Sequence, residues 1–157
     1  MKFSEMVYTR PDYPAVPKEL EALTQKLSGA KSSQEQVAIY KECETLLSHL
    51  ETQTTLCYIR HSVNTRDSFY EAENDYNDQQ APFVTEKAQE FTKALLESPF
   101  RAELEKALGS LLFQNLELEQ KGFSPEIVPL MQEENKLSSD YQKLYASAQI
   151  PFMGKTV

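Results

Sequence analysis

The chain has 157 residues, 24 acidic against 16 basic side chains and a formal net charge of −8. That length suits one domain with its own core, and 8 Phe with 8 Tyr separate it from disordered and low-complexity chains. An acidic surface repels phosphate backbones and anionic lipid, which argues against nucleic-acid and membrane partners. No apolar run approaches the roughly 20 residues of a membrane span. The opening MKFSEMVYTRPDY lacks the apolar stretch of a secretory signal, so the expected location is the cytoplasm.

Helical periodicity governs most of the chain. The pieces holding Pro11, Pro14 and Pro17 read as an extended arm, with Phe3 and Tyr8 packing it down. A first helix follows over Lys18–Leu27, carried by Leu20, Leu23 and Leu27 and stopped near Gly29. The second opens at Ser32 or Ser33, each making a capping box with Glu35 or Gln36. Its stripe runs Val37, Tyr40, Cys43, Leu47, Leu50, Thr54, Cys57, His61, about thirty residues or 45 Å of helix. Charged flanks of the coiled-coil type are missing, so a bundle is the better architecture.

The third helix is expected from Asp67 to Glu97, with a capping box between Ser68 and Glu71 and an apolar series Phe69, Tyr76, Phe83, Phe91, Leu95. Pro82 removes the bond to Asp78 and predicts a kink or a break. Ser98-Pro99 and Ser124-Pro125 each pair a cap with a proline at the first helical position. They introduce a short helix ending near Gly109, a further piece over Leu111–Gln120, and a last helix carrying Ile127, Leu130, Leu137, Tyr141 and Leu144. From Ile150 the period changes to two, with Phe152, Met153-Gly154-Lys155 and Val157 reading as the first arm and turn of a β-hairpin. The fold class is therefore all-α, an elongated antiparallel bundle of about five helices over residues 1–149. Residues 150–157 begin a hairpin whose returning arm is expected to lie past the end of the chain.

Sites of familiar chemistry are scarce. His49 is followed by Leu50 and His61 by Ser62, so H-E-x-x-H is absent; Leu46 and Tyr58 stand where the E-x-x-H of di-iron bundles needs glutamate. Gly154-Lys155-Thr156 matches only the tail of a phosphate loop, because Gln149 holds the place of its first glycine. Cys57 and His61 have the i, i+4 spacing of paired ligands, yet both continue the apolar stripe and nothing nearby completes four ligands. Cys43 and Cys57 are about 21 Å apart along one helix and cannot bridge. Glu71, Asp75 and Asp78 line one helix face and read as a solvated row rather than a calcium loop. On these grounds the chain has no self-sufficient active site and no metal site of its own.

Four stretches together resemble a known family. They are the opening MKFSEMVYTRPDY, RHSVNTRDSFYEAENDY (Arg60–Tyr76), SPFRAELEKALGSLLFQNLELEQKGFSPEI (Ser98–Ile127) and YQKLYASAQIPFMGKTV (Tyr141–Val157). In this order they resemble the N-terminal region of oligoendopeptidase F-like zinc metallopeptidases, relatives of the thimet oligopeptidases. The resemblance implies a hydrolase of short peptides with a deep channel between a helical N-terminal region and a catalytic part bearing H-E-x-x-H. It implies zinc in the parent enzyme, and none of that motif carries over to this chain. The polar cluster Arg60, His61, Thr65, Arg66 and Tyr70 is then the candidate channel wall; the plainer reading is that these residues cap and cross-link the second and third helices. The implied partners are the catalytic part of the same chain and short peptides. An uncovered apolar face, with Ile150, Phe152 and Val157 near its edge, is expected to promote self-association. The alternative is a free-standing helical module that binds a peptide or partner helix without cutting it.

Overall fold

The structure, a computed structural model, describes Lys2, residues 5–149 and the backbone of 151–152 and 155–156. Six α-helices occur among the described residues: α1 (Val16–Gly29), α2 (Ser33–Val63), α3 (Ser68–Leu96), α4 (Arg101–Leu108), α5 (Ser110–Gly122) and α6 (Val128–Ala146). A 3₁₀ turn over Pro125–Ile127 leads into α6. The fold is all-α, as expected, and the helices follow the expected pieces in chain order. The C-terminal ribbon corrects the hairpin expectation: β1 (Pro151–Phe152) already pairs antiparallel with β2 (Lys155–Thr156). Lys155 thus belongs to the returning arm, while Ile150, Met153, Gly154 and Val157 lie outside the described residues.

Helix α1 starts two residues before its expected first residue, with Pro17 in its first turn, where a missing N–H costs nothing. Val16, Leu20, Leu23 and Leu27 are buried along one side. Leu20 and Leu27 are fully enclosed, each contributing about 1.5–3 kcal/mol of apolar burial. They pack with Phe91 and Leu95 of α3, Cys43 of α2, Leu104 of α4 and Phe113 of α5 in one core. Ser32 caps α2, its hydroxyl accepting from the Glu35 N–H at 3.3 Å. The Glu35 carboxylate reaches back to the Lys31 N–H at 2.7 Å, one residue beyond the standard box.

Polar groups bolt the core at one joint. Gln36 donates to the Leu27 carbonyl at the end of α1 (2.9 Å) and accepts from the Ser98 hydroxyl (2.5 Å). Ser98 in turn accepts from the Phe100 N–H at 3.0 Å. One buried amide therefore ties the α1 terminus, the α2 start and the α3–α4 corner. Gly109 makes the next corner with φ +98°, a conformation that a side chain would oppose.

Helix α3 is the central rod, packed on α1, α2, α5 and α6. Its cap is Asp67, which accepts from the N–H groups of Phe69 (3.0 Å) and Tyr70 (3.3 Å), rather than Ser68. The helix runs unbroken through Pro82. The expected apolar series is corrected in part: Phe91 and Leu95 are buried, whereas Phe69 and Phe83 are 55% and 44% exposed. The inward positions of the first half of α3 belong to polar Glu73, Asn74 and Asn77. No helix among the described residues is long and apolar enough to cross a membrane.

Candidate functional site

The N-terminal arm is held by a carboxylate. Glu73, 2% exposed, accepts from the Tyr8 hydroxyl at 2.7 Å and from Arg10 Nε at 2.9 Å, with an ion pair to the Arg10 guanidinium. Arg10 holds the Glu73 carboxyl below its usual range, against the opposing effect of burial. Arg10 also lies 5.0 Å from the Tyr76 ring centroid, and Tyr76 meets Tyr13 edge to face at 5.5 Å. The Thr9 N–H donates to Gln53 Oε1 at 2.8 Å, which anchors the arm to α2 as well.

Of the five residues singled out by sequence, two are joined by a hydrogen bond. Arg60 and Tyr70 do meet: the guanidinium donates to the Tyr70 hydroxyl at 2.6 Å and to the Met6 carbonyl. His61 is 1% exposed, and neither ring nitrogen has a hydrogen-bond partner among the described residues. Thr65 is half-buried in the α2–α3 turn and Arg66 is exposed beside it. No ion pair joins Arg66 to another side chain among the described residues. The two thiols are enclosed, and burial pushes Cys43 up to about 12 and Cys57 up to about 11.

The acidic row of α3 is more than a solvated face. Lys143 of α6 pairs with Asp75 at 2.9 Å and Glu71 at 3.4 Å. Asp78 Oδ2 accepts from Ser139 at 2.5 Å and Asn74 at 3.1 Å. Burial raises the Asp78 pKa, the Ser139 bond opposing it. Asn135 donates to the Asp78 carbonyl at 3.3 Å and Gln132 to the Gln79 carbonyl at 2.8 Å. The carbonyl that Pro82 deprives of its helical partner is thereby satisfied from α6.

A groove of about 470 Å³ opens along the α2–α3 seam, with Leu47, Leu50 and Thr54 on one side and Asn77, Val84 and Ala88 on the other. Tyr13 also lines it. The Tyr13 hydroxyl and both polar atoms of the Asn77 amide are buried without a hydrogen-bond partner among the described residues. Sequence reading missed Glu73, Asn77 and Asp78 as organising groups. Their signal was polar residues recurring at four-residue steps, Glu73 to Asn77 and Asn74 to Asp78, along one side of α3.

This is a helical scaffold with an anchored arm and an open groove, and among its described residues no three His, Cys, Asp or Glu side chains come together to hold a metal. Residues 3–123 match the family model described as the Peptidase M3 N-terminal domain, and the chain belongs to that family. Among solved structures it is similar to PZ peptidase A with an inhibitor, with a TM-score of 0.96 and 40% identity over 99% of this chain. It is similar also to an oligoendopeptidase F from Bacillus anthracis str. Ames, with a TM-score of 0.94 and 38% identity over 99% of this chain. The chain spans 28% and 29% of those two proteins, so it corresponds to their N-terminal part without the catalytic part. No curated protein matches.

Proposed function

We propose that this domain forms one wall of the substrate channel of a cytoplasmic, zinc-dependent oligoendopeptidase that hydrolyses short peptides, and supplies no catalytic group itself. The observation that carries the reading is the likeness to PZ peptidase A along 99% of this chain, confined to 28% of that protein. Zinc does not fit the residues here, since no three potential ligands meet among those described and the chain lacks H-E-x-x-H. The metal would be held by residues of the catalytic part, where it makes water nucleophilic near neutral pH.

Within the wall, Arg66 and Thr65 are the residues facing substrate. Arg60 and Tyr70 secure the arm behind them, and His61 fills the interior. Arg66 would meet a peptide carboxylate as a fork of donors. A second reading, a peptide-binding module without catalysis, draws on the groove beside Asn77, whose amide offers an unused donor and acceptor.

The test is the intact mass of the native protein, with hydrolysis of an internally quenched peptide in the same fraction. A species several times heavier than the 18.0 kDa of this chain, whose hydrolysis stops with a zinc chelator, is the expected result. A native mass of 18.0 kDa without hydrolysis overturns the peptidase reading and leaves the binding module.

A further inference from the structure

Helix α6 is amphipathic in the reverse sense to its neighbours. Past the buried Val128 at its start, its docked side is polar: Gln132, Asn135, Ser139, Gln142 and Lys143 reach Gln79, Asp78, Tyr58 and Asp75 through side-chain hydrogen bonds. Its outward side is apolar. Leu130, Leu137, Tyr141 and Leu144 recur at steps of seven, four and three residues and are 63%, 62%, 67% and 71% exposed. The sequence expectation that these residues carry the helix into the bundle is therefore corrected, because the binding face of α6 is set by the carbonyls and carboxylates of α3.

A helix that belonged to this bundle would bury Leu137 and leave Lys143 in water. Instead the α3–α6 seam is polar and loosely filled, with a cavity of about 510 Å³ lined by groups such as Asp75, Gln80, Gln132 and Lys136. That is the character of a contact between domains of one chain, more polar than a core. The family model stops at residue 123, just before the Ser124–Pro125 turn that starts this helix. The relatives extend to more than three times the length of this chain.

We propose that the domain boundary lies at residues 122–124, and that α6 is the first helix of the following domain. Its apolar outer face is then part of the core of that domain, the occupant being chain beyond Val157. Its polar face is the contact between the two domains. The expected one-domain unit over 1–149 is replaced by a unit ending near Gly122, with α6 and the β1–β2 ribbon belonging to what comes next. This rests on the reading of the chain as the front of a longer peptidase.

The test compares two lengths of the protein. In the 157-residue chain, the Leu137→Glu/Leu144→Glu pair should leave the unfolding midpoint unchanged and weaken any self-association seen by sedimentation. In the longer natural protein the same pair should prevent folding of the part beyond residue 123, read as protease cleavage after Gly122 with the front unit surviving intact. The milder Leu137→Ala should lower the melting temperature of only that part, which keeps the proposal open to refutation if the double variant does not express. Equal tolerance of both variants in the longer protein would overturn the proposal while leaving the peptidase reading intact. A natural product of 157 residues would overturn both. In that case, self-association through Leu137 and Leu144 would identify a second copy as the occupant.

Discussion

The side-chain amide of Asn135 donates to the backbone carbonyl of Asp78 at 3.3 Å. Pro82 stands where that carbonyl would find its helical donor, so a proline of α3 and an asparagine of α6 share one hydrogen-bonding problem. Asn135→Ala should destabilise the chain by about 1–3 kcal/mol, the cost of leaving a shielded carbonyl unpaired. In a Pro82→Ala background the same change should cost clearly less, since alanine at that position restores the N–H. A double-mutant cycle by urea unfolding measures the coupling; strict additivity would mean that Asn135 and Pro82 act separately.

Glu73 and Asp78 should respond to acid in opposite directions. The Glu73 pKa is lowered in the folded chain, chiefly by Arg10. Its stabilising contribution is present above the unfolded value of about 4.3 and is lost as pH falls through the folded value. The Asp78 pKa is raised by burial. Between about 3.9 and that raised value the folded state holds a proton that the unfolded state has released, so stability falls as pH rises. Urea unfolding across the acid range should show Glu73→Gln abolishing a loss on acidification. Asp78→Asn should abolish a loss that sets in as pH rises past about 3.9. Profiles parallel to the parent chain in both variants would remove this assignment.

Asn77 carries an enclosed amide with neither donor nor acceptor used among the described residues. Replacing it with Leu, of similar size, should raise stability by about 1–2 kcal/mol, because an unpaired buried polar group is costly while an apolar one of the same shape is not. A lower melting temperature for Asn77→Leu in calorimetry would show that the amide is satisfied in solution.

The thiols should be inert. With pKa values pushed up to about 12 for Cys43 and about 11 for Cys57, the thiolate is a minor species at neutral pH, and it is the reactive form. An aromatic disulfide reagent at about pH 8 should label neither cysteine in the native chain and both after denaturation. Rapid native labelling of Cys57 would indicate that the arm opens over α2.

Much of the helical order was legible because it rests on local rules. The leucines of α1 and the serine before α2 are spacing and capping signals, and each falls within two residues of its expected place. The Ser-Pro corners mark turns rather than caps, since α4 starts at Arg101 and α6 at Val128, past Pro99 and Pro125. The site was less legible because its logic is tertiary. Nothing local distinguishes Glu73, buried under Arg10, from Glu71, which pairs at the surface with Lys143. The apolar stripe of α6 is present and faces away from the bundle, since period alone does not say which neighbour will cover it. Pro82 was expected to bend or break α3. The helix is not broken there, and Asn135 answers the freed carbonyl from another element.

The arm gives this fold an order of events in time. Tyr8 finds its acceptor, Glu73, 65 residues further along the chain. A ribosome adds roughly 5–20 residues each second, so the arm waits roughly 3–13 s after its own synthesis before Glu73 is made. During that interval the amphipathic first helix and its aromatic leader are available to whatever else is near the tunnel exit. Only when the third helix has been made can Arg10 close over the Glu73 carboxylate and fix the arm.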